Sequence, residues 1–385
     1  LPSHDPSTLV SAMAAVTQHL GFGVTVNLSY ESPYQFARRF ASLDHLTHGR
    51  IGWNIVTGYL DSAERLIGQK GLKDHDLRYE QAEEFLELCY KFWEGSWEDD
   101  AVQKDKLNRV FTDPSKVHAI QHEGKFFQSQ GIFQVSPSIQ RTPVLYQAGA
   151  SSKGLAFATQ HAEAMFIGAD TPEKLKQQVD KIRALALSHG RDEQAIKLFV
   201  GISVVTAETD ELAQEKLAEY IRYASPEAGL VHFSSSVGID LAQFTDDEAI
   251  PYKQTNSIAS VNNKFKEQKV TRADLKAQHV LGGRYPLIVG SGKTVAEKLI
   301  QLLDETGVDG FNLTRTVAPE SHQDFIRWVI PELQERGRYK TAYETGSLRH
   351  KLFAQGDRLA ADHPVQQYRC QSSSPDSKTQ QKQTA

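Results

Sequence analysis

Two cysteines in 385 residues, Cys89 in an apolar helical stretch and Cys370 in a polar tail, are too few for a disulfide framework or a metal knuckle. A reducing cytoplasm is therefore the expected setting. Basic charge is not in excess: 43 Lys and Arg against 48 Asp and Glu leave a net charge of -5 and a pI near 6.3. That argues against nucleic acid or an anionic membrane surface as a partner. No apolar run approaches the ~20 residues that cross a bilayer, and no basic-then-apolar leader opens the chain. The histidines show neither HExxH nor facial-triad spacing, so no metal is expected. No G-x-G-x-x-G dinucleotide fingerprint and no G-x-S-x-G nucleophile elbow is present.

What is present is a regular alternation of short apolar runs with longer amphipathic ones. With 39% hydrophobic residues the chain can bury a barrel-sized core. Strands are expected at 22–28, 51–57, 144–147, 164–167, 196–205 and 310–313. Helices are expected at 8–20, 33–47, 61–68, 76–94, 152–161, 172–189, 209–223, 292–305 and 321–336. A hairpin with Glu123-Gly124 at its turn is expected over 115–134. Strand and helix in alternation imply parallel strands joined by crossover helices. Residues 225–285 break the rhythm, are polar with no clear strand, and are read as an insertion over the mouth of the barrel, a candidate lid with room for short helices of its own. The Ser, Gln, Lys and Thr-rich residues from 371 onward read as a disordered tail, the end of an extension that starts at 351.

The most informative stretch is 40–57. Apolar Phe36, Phe40, Leu43 and Leu46 have helical spacing, and Gly49 is expected to cap that helix in the left-handed region. Ile51 to Val56 then reads as a core strand, with Asn54 and Thr57 at its carboxyl end, where barrel folds collect ligand-binding groups.

A second informative stretch is Gln147 to Gly154. It follows a strand and opens a helix with small residues and two hydroxyls. Gly149, Ala150, Ser151 and Ser152 at a helix amino end form a candidate phosphate site. A serine cap with no ligand is the alternative on these residues alone. Tyr79, at the start of the long helix after Asp74-His75-Asp76, is either a phosphate donor or a core aromatic. His75 is either a wall residue or part of the helix cap.

Several of these blocks resemble, in order, one branch of the bacterial-luciferase-like flavin monooxygenases. They are LDHL-x-x-GR-x-x-WN-x-VT at 43–57, His75-Asp76-Leu77-Arg78-Tyr79, Trp93 to Trp97, Phe111 to His118, Gln147 to Ser151 and Thr306 to Asn312. That branch includes the nitrilotriacetate, dibenzothiophene-sulfone and long-chain alkane monooxygenases. The resemblance spans roughly residues 5–350, as one (β/α)8 TIM-type barrel domain. It implies a fold with two more strands before the first one visible here, so the chain is expected to lack them, together with an acidic residue beside the flavin.

The resemblance also implies an FMNH2-dependent monooxygenase of a two-component system. Such an enzyme inserts one oxygen from O2 into a small organic substrate through a flavin C4a-hydroperoxide. A separate NAD(P)H-dependent flavin reductase supplies the FMNH2, and a homo-oligomer is expected. It assigns Tyr79 to the flavin phosphate, and with it Asn54 and Thr57 can supply an amide and a hydroxyl to the isoalloxazine edge; on the residues alone these two read equally as polar caps of a strand end. It also places His232, which heads the irregular insertion, over the flavin as the catalytic histidine; on the residue alone His232 is an ordinary solvated or structural histidine. Gly58 departs from the serine common in relatives, and Ser234-Ser235-Ser236 suggest a different pocket. The remaining alternatives are a truncated or degenerate non-catalytic flavin-binding barrel, and an F420-type oxidoreductase on the same fold.

Overall fold

The computed structural model describes residues 4–252, 265, 269–281 and 285–370. The expected disorder from 371 onward lies outside the described residues. The chain divides into two compact units: residues 1–53, 80–144 and 345–385, and residues 54–79 and 145–344.

In the first unit, α1 (Ser7–Val16) precedes β1 (Phe22–Asn27), and α2 (Pro33–Thr47) precedes β2 (Ile51–Val56), whose last three residues belong to the second unit. α2 starts where the Ser32 hydroxyl accepts from Gln35 N, with Pro33 preset for the first turn. It ends at His48, which takes the left-handed C-cap expected of Gly49 (φ 53°) and donates its N–H to the Asp44 and His45 carbonyls. Gly49 is left-handed too (φ 78°), and a Cβ there would stand 2.9 Å from Ser347 Cβ. Two successive left-handed residues therefore share the cap, and packing against 347 makes the second a glycine.

The α2 face meets β2 and α4 (His75–Gly95) in an aromatic cluster. Phe36 lies 4.2 Å from Trp53, and Phe85 and Trp93 lie 6.0 and 6.5 Å from it between ring centroids. The expected hairpin exists as β5 (Ile120–Glu123) and β6 (Gln128–Gly131). An earlier hairpin, β3 (Val102–Asp105) and β4 (Val110–Thr112), was not expected, because its residues are largely polar and partly exposed.

The main sheet runs in the order β1-β2-β7-β8-β9-β10, with β11 also on β9. It holds the six expected strands and one more. β7 (Val144–Gln147), β8 (Ala164–Ile167) and β9 (Lys197–Ala207) pair in parallel. Phe199 pairs with both Phe166 and Gly310, so β11 (Gly310–Thr314) lies on the opposite edge of β9 from β8. Ser203 pairs with both Thr314 and Leu287, which puts the unexpected β10 (Leu287–Ser291) on the edge that β8 leaves free.

Helices α5 (Ser152–His161), α6 (Pro172–Ser188), α7 (Asp210–Tyr223) and α10 (Gly292–Thr306) follow their strands as crossovers. Asp309, at the amino end of β11, receives Leu198 N at 2.9 Å and faces Arg183 and Lys197. It therefore anchors the strands at the end of the sheet that serves stability rather than ligands.

Within the insertion, the described residues form α8 (Pro226–Val237), a 3-10 turn at Leu241–Gln243 and α9 (Arg272–Gln278). They share their own apolar cluster of Leu230, Phe233, Val237, Leu241, Ile250 and Leu275. The segment around His232 is one of the short helices that the insertion was read as able to hold, capped by Ser225 and ended by left-handed Gly238. No helix among the described residues is long and apolar enough to cross a membrane.

Candidate flavin site

The strand-to-helix turn after β7 is built by its own sequence. Ser151 is the N-cap of α5, its hydroxyl accepting from Gly154 N at 3.1 Å. The N–H groups of Ser152 and Lys153 meet no acceptor among the described residues, and both residues are exposed. Such an open helix end presents donors and partial positive charge to an anion.

Tertiary structure brings two more groups to this turn. His75 Nε2 stands 3.2 Å from Ser151 Oγ, and its Nδ1 stands 2.9 Å from Asp76 Oδ1. The Asp76 carboxyl is held below the usual range, chiefly by that hydrogen bond from His75. Tyr79 lies one helical turn on from His75, its ring 5.1 Å away between centroids, and is 8% exposed. Burial pushes its phenol pKa up, against hydrogen bonds with Gln147, Ser151 and Thr57 and the charge of Arg78. The phenol therefore stays protonated and available as a donor. Arg78 is itself buried, donating to Lys73 O at 2.9 Å and facing Glu64 and Asp74.

The turn has no spare room on its protein side. A Cβ at Gly154 would fall 2.6 Å from Tyr79 Oη and 3.0 Å from Gly149 Cα. At Gly149 it would fall 2.6 Å from Gln147 Nε2 and 2.9 Å from Gly154 Cα. Both glycines are thus needed for the strand end, the helix end and the phenol to meet.

Of the expected residues, the structure gathers Tyr79, Thr57, Ser151 and Gly149 into one group, with Ala150 and Ser152 exposed on its rim. Asn54 is half-buried near the end of β2. His232 is an exposed residue of α8 whose carbonyl accepts from Ser235 and Ser236. Sequence reasoning missed Gln147, which bonds both Tyr79 and Gly149 N. Its place at the carboxyl end of a core strand was the available signal, the same one that singled out Asn54. His75, left between wall and cap, is a neighbour of the Ser151 hydroxyl.

The family profile described as luciferase-like monooxygenase matches residues 2–310. The chain belongs to the luciferase-like monooxygenases. These are flavin-dependent oxygenating enzymes, and the relatives agree. The dimethyl-sulfide monooxygenase of Hyphomicrobium sulfonivorans is 46% identical over 374 residues, 96% of this chain and 78% of that protein. The long-chain alkane monooxygenase of Geobacillus thermodenitrificans is 46% identical over 371 residues, covering 96% and 81%. Among solved structures of this luciferase-like fold, riboflavin lyase with modified FMN and riboflavin superposes with a TM-score of 0.91 at 40% identity, covering 96% of this chain and 83% of that one.

Proposed function

We propose that this chain binds FMNH2 with its phosphate at the amino end of α5 and transfers one oxygen atom of O2 to a small organic substrate. The observation that carries the reading is the buried Tyr79 phenol beside Ser151, at a helix end whose next two N–H groups meet no acceptor among the described residues. A phosphate fits there: hydroxyls, backbone donors and a phenol converge, and the Asp76 carboxylate at this turn is engaged by His75. The bound flavin, when reduced, supplies the redox chemistry with O2.

The protein's part is to hold and orient. Ser151, Ser152 and the α5 N–H groups hold the phosphate, and Tyr79 donates to it. Gly149 and Ala150 keep the turn small, Asn54 offers an amide to the ring edge, and Thr57, expected at that edge, instead shares a hydrogen bond with Tyr79 at the phosphate end. With no dinucleotide fingerprint in the chain, the reducing equivalents come from a separate NAD(P)H-dependent reductase.

The test is an anaerobic titration of photoreduced FMN, followed by admission of oxygen. Saturable binding and a reoxidation slower than that of free FMNH2 are expected. Reoxidation at the free rate with no binding would overturn the reading.

Tyr79→Phe is expected to weaken FMN binding about tenfold, the size of one hydrogen bond to a charged group. Because burial raises the phenol pKa, the protonated form is the one the fold favours. Its contribution is full below the ordinary tyrosine pKa of about 10 and is lost as pH rises through the raised folded value. Affinity should therefore be flat from about pH 7 to 9. A fall inside that window that vanishes in Tyr79→Phe would mean an ionising phenol and a different role.

His232, exposed on α8, enters as the hydrogen-bond donor to the reacting oxygen. With a reductase and any substrate that the wild type turns over, His232→Ala should leave FMNH2 binding nearly intact. Hydrogen peroxide released per O2 consumed should rise. Coupled turnover equal to the wild type would return His232 to the ordinary surface histidines.

A further inference from the structure

A cavity of about 320 Å³ opens where β11 ends. Its walls include Ser203 of β9, Leu287 of β10, Thr314 of β11 and the Arg315 and Thr316 that follow. Tyr285 forms one side. Its ring lies close against the bare backbone of Gly201, where a Cβ would come 2.3 Å from Tyr285 Cδ1. The loop after β11 is pinned, with Thr316 N and Val317 N both donating to Ser321 Oγ at 3.1 and 2.8 Å. The end of α9 and the residues after it close the cavity with Gln278, Val280 and Leu281.

The electrostatics are one-sided. Among the described residues, Arg315 brings a guanidinium that makes no ion pair, and none of those lining the cavity carries a carboxylate. Hydroxyls of Ser203, Tyr285, Thr314 and Thr316 and the Gln278 amide supply further polar atoms, and Leu281, Leu287 and Val280 supply apolar surface. A fixed cation, several neutral donors and an apolar wall are what an organic anion with a short hydrocarbon body requires. The cavity lies at the carboxyl end of β11, the end of a parallel sheet at which barrel enzymes handle substrates.

We propose that this cavity takes the acid group of the organic substrate, a carboxylate or sulfonate, through Arg315. The word substrate here rests on the oxygenase reading above; the anion preference does not. Hexanoate and hexane-1-sulfonate, with hexan-1-ol as the neutral probe, are titrated calorimetrically into the purified full chain. Both anions should bind saturably, and about tenfold or more tighter than the alcohol, as a charge-assisted hydrogen bond provides. The tighter of the two identifies the acid group.

Arg315→Met should erase the preference while FMN binding stays at the wild-type level, and Arg315→Lys should keep part of it. Gly201→Ala, which displaces the Tyr285 wall, should weaken both anions with Arg315 still in place. Anion affinity unchanged in Arg315→Met, equal affinity for hexan-1-ol, or no anion binding by the wild type would each overturn the proposal. If the wild type binds hexanoate but not FMN, the oxygenase reading fails and the anion site stands.

Discussion

Replacing Ser151 by Asp is expected to lower FMN affinity by about two to three orders of magnitude while the protein stays folded. The fold survives because Asp is as good an N-cap as Ser, so the bond from Gly154 N keeps an acceptor and the first turn of α5 keeps its geometry. What changes is charge. A carboxylate at this position would face a phosphate over the same N–H groups, and two like charges about 4 Å apart at an effective dielectric near 20 repel by roughly 4 kcal/mol. The helix end cannot offset this, since its favourable interaction with an anion is about 0.3–1 kcal/mol and would be shared between two. Fluorescence titration of FMN into wild type and variant, with circular dichroism as the control on folding, checks the result. An unchanged affinity would place the phosphate elsewhere.

Trp53→Ala is expected to destabilise the chain by about 3–5 kcal/mol, the range for truncating a buried large aromatic. Trp53 is fully buried, with Phe36, Phe40, Phe85 and Trp93 all within 6.5 Å between ring centroids. Its indole N–H donates to the Val26 carbonyl at 3.3 Å, tying β2 to β1. Truncation leaves a cavity among rigid rings that cannot collapse inward, and it leaves the Val26 carbonyl without its side-chain donor. Urea unfolding followed by far-ultraviolet circular dichroism reads the effect. A loss below about 1 kcal/mol would mean that the cluster repacks as a surface site does.

The features legible in the sequence were the local ones. A run such as Val144–Gln147 or Ala164–Ile167 is apolar throughout because a strand covered on both faces must be, so it can be recognised without knowing its neighbours. Caps are equally local: Ser151 accepts from the N–H three residues on, and the short spacing shows in the letters. Tyr79, Ser151 and Thr57 were reachable because each stands at an element end, where side chains are free to meet a ligand.

Tertiary structure decided what lies between elements. β10 is five residues ending in Gly-Ser, with no alternation of its own. It is a strand because the carboxyl half of β9 extends past β8 and offers Ser203 to Ala207 an unpaired edge. Gly49, left-handed after the His48 cap, has to be glycine because a Cβ there would press on Ser347, some 300 residues away in the chain. Gln147 reaches Tyr79, and His75 reaches Ser151 across 76 residues, only once β7 and the start of α4 converge. Arg315 looks like any charged residue after a strand. Its meaning depends on which of the described residues share the cavity with it, none of them a carboxylate, and that is settled by packing rather than by spacing along the chain.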